Sequence, residues 1–194
     1  MEGFTQDRDP VVYGVDMTVL HSLDSSTKSQ YLAMVLGAFD SWSKIMKENI
    51  HPDYWNFELN DDGVAVDEEG KLNKDIVVIF ARDNDGYYCK LGEGLAVGDL
   101  VYPITDLEGN VKMMYVIVFL SCMDKEIEFK FSNYNLIHGI GHALGIGHSD
   151  SLDSVMFYVV RIPNLDSPRI TGLEVKSLQH LYGSDGFGGK NRYH

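Results

Sequence analysis

Three histidines, His138, His142 and His148, stand in the stretch 135–158, which reads NLIHGIGHALGIGHSDSLDSVMFY. The first two are four residues apart, so on a helix they share one face about a turn apart. Gly145 follows within a turn of the second. A glycine there can take a left-handed conformation, end the helix and swing the chain round. That bend would carry His148 to the same point in space. Three neutral imidazoles meeting at one point, with a fourth position open, describe a catalytic zinc site. The plainer reading is a glycine-rich helix with incidental histidines. It leaves Gly139 and Gly141 unexplained, although each costs a helix about 1 kcal/mol relative to alanine.

The spacing of His138, His142, Gly145 and His148, followed by Ser154-Val155-Met156, resembles the metzincin signature H-E-x-x-H-x-x-G-x-x-H with its methionine turn. One position departs. Gly139 stands where the signature has glutamate. In the family that glutamate is the general base acting on zinc-bound water. Three origins of the glycine remain open: a substitution introduced to stop self-cleavage, a natural relative that binds peptides without cutting them, or a fold recruited to a structural role with zinc as a staple.

The elements that must position these residues follow from the rest of the chain. Val11 to Leu20 is rich in β-branched residues and reads as a strand. Ser25 or Ser26 is expected to cap a helix running to about Glu48. Its buried stripe would be Tyr31, Met34, Val35, Ala38, Trp42, Ile45 and Met46. Trp55 to Leu59 suggests a short strand. Asp75 to Ala81 and Met113 to Leu120 are apolar runs that suit buried strands. Leu95 to Pro103, broken by glycine, suits an edge. Ser132 is expected to cap the histidine helix, which should reach about Leu144. Thr171 and Glu174 form a T-x-x-E capping box for a last helix that stops at Gly183. The reading is one α/β (α+β) domain over 10–183, with a loose leader at 1–9 and a flexible tail at 184–194.

The 194 residues suit one domain with a real core. A formal net charge of -13 argues against nucleic acid or an anionic membrane as partner, since both are polyanions. No stretch approaches the roughly 18 apolar residues of a transmembrane span. The opening MEGFTQDRDP has no signal-peptide pattern, so localisation stays open between a protein kept where it is made and one whose leader has been removed. Cys89 and Cys122 could pair or stay free. Oligomeric state is not readable.

The order strand, helix, strands, histidine helix, methionine turn and C-terminal helix is similar to the matrixin catalytic domain, the matrix-metalloprotease branch of the metzincins. Ser149 after the third histidine and the ending Leu178-Gln179-His180-Leu181-Tyr182-Gly183 carry the resemblance further. It implies a twisted mixed sheet above a cleft, and Zn2+ held by His138, His142 and His148. It also implies Met156 as an apolar floor under the histidines, and an extended peptide or protein substrate added as a strand along the edge at Leu95, Ala96 and Val97. Tyr158 is a candidate metal ligand or oxyanion stabiliser, or a cleft-wall aromatic. Structural Ca2+ in the Asp83 to Asp99 loops is an alternative to plain solvated turns there. No histidine lies between His51 and His138 to hold a second zinc, residues 1–9 contain no cysteine switch, and no proline follows Met156 directly. The expected function is a matrixin-type zinc endopeptidase, impaired because Gly139 replaces its base. The alternative is a pseudoprotease, a zinc-bearing binding or structural module.

Overall fold

The structure is a computed structural model that describes residues 9–60, 73–82, 100–105, 107–108, 111–120, 125–158 and 168–183. The edge positions Leu95, Ala96 and Val97, both cysteines, the whole of the expected calcium loops from Asp83 to Asp99, the leader up to residue 8 and the tail lie outside these residues.

Strand β1 is Val11–Asp16. It is shorter than expected because Asp16 turns the chain. Its carboxylate accepts the Thr18 N–H at 2.8 Å, a local bond that competes with the strand ladder. A short 3-10 turn, Leu20–Ser22, leads to helix α1, Ser25–Asn49. The cap is Asp24 rather than Ser25 or Ser26. Its carboxylate takes the Thr27 N–H at 3.0 Å and the Thr27 hydroxyl at 2.6 Å. A carboxylate at this position also meets the positive end of the helix dipole. The helix buries Tyr31, Met34, Val35, Ala38, Trp42 and Met46 as the periodicity predicts, together with Phe39. Ile45 is half-buried.

Four more strands follow: β2 at Phe57–Leu59, β3 at Ile76–Arg82, β4 at Leu100–Thr105 and β5 at Val111–Leu120. They form one five-stranded sheet with β1, ordered β2-β1-β3-β5-β4. All neighbours are parallel except β4, which runs antiparallel to β5 on the outside of the sheet. The edge strand therefore exists, beginning among the described residues at Leu100. Pro103 sits in it opposite Met114; an edge is where a residue lacking an N–H fits.

Side chains alternate across the sheet. Ile76, Val78 and Phe80 of β3 register with Met114, Val116 and Val118 of β5, and all six are buried in one core with Val11 and Tyr13. That face receives α1, with the Tyr13 and Phe39 rings stacked at 3.8 Å. Helix α2, Lys125–Ala143, carries the first two histidines and packs against both β5 and α1. It begins a full two turns before the expected cap. Lys130 and Glu126 pair at 2.8 Å across one turn, and Ser132 lies inside the helix, fully buried. Helix α3, Gly172–Tyr182, closes the fold with the expected Thr171–Glu174 capping box. Among the described residues, no helix is long and apolar enough to cross a membrane.

Candidate metal centre

The end of α2 is built to turn the chain back. Gly145 has φ 88°, a conformation most side chains avoid. Its N–H donates to the His142 carbonyl at 2.9 Å, and the Ile146 N–H donates to the Gly141 carbonyl at 3.0 Å. Together these make a Schellman ending. The Tyr182 hydroxyl, from the last turn of α3, donates to the Leu144 carbonyl at 2.9 Å and satisfies another of the exposed acceptors of that helix end. The turn returns His148 to the two helical histidines.

The three rings converge on their Nε2 atoms. His142 Nε2 lies 2.9 Å from His138 Nε2 and 3.2 Å from His148 Nε2. Two of the outer nitrogens are held by backbone oxygens. His138 Nδ1 is 2.6 Å from the Val155 carbonyl, and His142 Nδ1 is 2.7 Å from the Ile146 carbonyl. A carbonyl only accepts, so each Nδ1 carries the proton and each Nε2 presents a lone pair. Lone pairs facing each other at this range repel unless a cation lies between them. Tetrahedral zinc with bonds of about 2.0–2.1 Å would hold its nitrogens about 3.3 Å apart. The donor set therefore fits a metal ion, and these residues could hold one.

Burial grades across the cluster, from buried His138 through half-buried His142 to exposed His148, so one side opens to solvent. Burial pushes the His138 pKa down to about 4 and the neighbouring His148 ring adds to the shift, while the Val155 carbonyl and the Glu174 charge act in the opposite sense. His138 is thus neutral, as a metal ligand must be.

Behind the histidines lies a turn through Ser154, Val155 and Met156, the segment where the sequence suggests a methionine turn. Met156 is fully buried. A Cβ added to Gly141 would stand 2.5 Å from Met156 Sδ and 2.9 Å from Trp42 Cζ2. Gly141 is therefore glycine so that the turn and α1 can press against the helix between the two histidines. The Trp42 indole N–H donates to the Ile137 carbonyl at 2.8 Å and fixes that approach.

The turn itself is tied from several sides. Ser149 N–H donates to the Met156 carbonyl at 2.8 Å, Val155 N–H to the Arg169 carbonyl at 2.7 Å, and the Tyr134 hydroxyl to the Ser154 carbonyl at 3.2 Å. Ser154 Oγ accepts the Met156 N–H at 2.9 Å and donates to Glu174 Oε1 at 2.5 Å. The other oxygen of Glu174 takes the Thr171 N–H and hydroxyl at 2.6 and 2.7 Å. Glu174 is only 1% exposed. Sequence reasoning found this residue as a cap and missed its second bond, because Ser154 is distant in sequence and no local pattern signals the contact.

Tyr158 is 61% exposed, with its ring against Phe157 at 4.5 Å. Asp150 and Asp153, in the loop between His148 and the turn, are also exposed. Gly139 is buried in α2 immediately after the first histidine and brings no side chain to the cluster.

Fold and site together define a mixed α/β domain with a three-histidine cluster that could hold a metal ion. Comparison with known families narrows this: the chain belongs to the Matrixin family, which it matches over residues 14–183. It is also similar to the macrophage metalloelastase of Rattus norvegicus, with 27% identity over 117 residues. That match covers 59% of this chain and 24% of the metalloelastase, about a quarter of the relative's length.

Proposed function

We propose that the chain is a zinc-binding metallopeptidase domain of matrixin type whose hydrolytic step is impaired by Gly139. The convergence of three Nε2 lone pairs carries this reading, two of them fixed by backbone carbonyls. His138, His142 and His148 would hold the zinc. The methionine turn, through Met156 and the Val155 carbonyl, keeps His138 in its tautomer and orientation. When bound, zinc in such a set polarises a carbonyl and lowers the pKa of its water towards about 7.

Peptide hydrolysis also needs a group that takes a proton and returns it to the leaving amine. Gly139 has none. Positioned acid–base catalysis is worth roughly 10²–10⁴-fold, so turnover should be weak or undetectable while metal and peptide binding persist. The substrate would be an extended peptide or protein. Tyr158, Asp150 and Asp153 are the next candidates for proton transfer should turnover be found.

Gly139 also favours a second reading, a pseudoprotease that binds without cutting. Two assays separate them. Elemental analysis should give about one zinc per chain, lost in His142→Ala. Gly139→Glu should raise hydrolysis of a generic protein substrate by about two to four orders of magnitude. A zinc-loaded Gly139→Glu chain with no gain would leave only the binding module.

A further inference from the structure

Ser132, Asn135, Gly139 and His142 fall on one stripe of α2. At 3.6 residues per turn they lie within an arc of about 80°. Ser132 and Asn135 are both fully buried. Neither the Ser132 hydroxyl oxygen nor either polar atom of the Asn135 amide has a hydrogen-bond partner among the described residues. A buried polar group left unpaired costs about 1–3 kcal/mol, and native interiors relieve such costs with ordered water. An amide and a hydroxyl together offer both donors and acceptors, which suits water better than an ion of either sign.

Gly139 lies one turn beyond Asn135 on the side of His142. Side chains on a helix tilt back towards its N-terminus, so a side chain at position 139 would lie over Asn135. Gly139 brings no side chain to that space. We propose that it holds ordered water bound by Asn135 and Ser132, and that Asn135 is a positioning residue for the open ligand position of the metal centre. The inference rests on the three-histidine metal reading. An amide can orient water by donating and accepting. It cannot take up a proton near neutral pH, so Asn135 would orient water there without replacing the missing base.

The test uses Asn135→Leu, Asn135→Ser and Gly139→Glu, singly and with Asn135→Leu and Gly139→Glu combined. Zinc content, zinc affinity by chelator competition and Tm are read on each. Loss of a partner in the shell around a metal's ligands weakens binding by about 10–100-fold. Asn135→Leu should therefore keep one zinc per chain but bind it at least about tenfold more weakly. Asn135→Ser, which keeps a hydroxyl for the water, should restore most of that affinity. Gly139→Glu should lower Tm further in the Asn135→Leu background than alone, because its carboxylate would lose the amide donor. Unchanged zinc affinity in Asn135→Leu, with a raised Tm and additive effects, would overturn the inference and leave the metal centre standing. Absence of zinc from the unsubstituted chain would overturn the metal reading and this inference with it.

Discussion

At Gly141 a single hydrogen atom decides whether the histidine helix can be backed. Met156 Sδ and Trp42 Cζ2 already occupy the approach to this residue from two elements. A methyl group would force the turn around Met156 or α1 outward, and overpacking of this kind costs about 1–3 kcal/mol. Gly141→Ala should therefore lower Tm although alanine is the better helix former, by roughly 2–12 °C in a domain of this size. A calorimetric scan checks it; a raised Tm would mean that the turn moves aside freely. Gly145 is constrained for a different reason, its left-handed backbone, so alanine there should disturb the return of His148 to the other two rings.

At the scale of elements, the site depends on how the C-terminal helix is attached. Glu174 belongs to α3 but divides its two oxygens between the start of that helix and Ser154 in the turn behind His138. Removing a buried carboxylate would orphan the Ser154 hydroxyl and the Thr171 N–H together. Hydrogen bonds to charged groups contribute about 1.5–3 kcal/mol each. Glu174→Ala should lower stability by at least about 2 kcal/mol and weaken zinc binding, because the turn that supplies the Val155 carbonyl loses its anchor. Chelator competition with unfolding curves on the same variant tests this. Lost stability with unchanged zinc affinity would make Glu174 a helix cap alone.

The same residue shows what the sequence could reveal. Thr171 and Glu174 are three apart, so their box was legible; the bond to Ser154 is tertiary and was not. The histidines were legible because their spacing matches one helical turn and a glycine exit. Ser132 misled because serine caps helices readily, yet the helix-forming residues before it carry α2 back to Lys125. Asp24 prevailed over its two serine neighbours because its carboxylate caps both the N–H and the hydroxyl of Thr27. The sheet order was not readable, since parallel neighbours distant in sequence leave no local pattern.

For the whole molecule, the burial of His138 makes stability depend on pH. Its pKa in the folded chain is about 4, below the ordinary value of 6.5, chiefly because burial disfavours the charged ring. Between those values the unfolded chain holds more protons at this residue than the native one. Stability from this group is therefore highest above about pH 6.5 and falls as pH drops towards 4. The net charge of -13 acts the other way, since protonating carboxylates relieves self-repulsion. Carboxylates titrate mainly near pH 4, at about 3.9 for Asp and 4.3 for Glu, so the histidine effect should dominate between about pH 6.5 and 5. The metal-free chain, prepared with a chelator, should lose several degrees of Tm over that interval. His138→Asn should flatten the dependence even if its Tm is lower throughout. Zinc should raise Tm most at the upper end, because binding requires neutral imidazoles and stabilises the chain only in proportion to occupancy. A metal-free Tm that stays level or rises on acidification to pH 5 would show that His138 is more solvated than its 4% exposure implies.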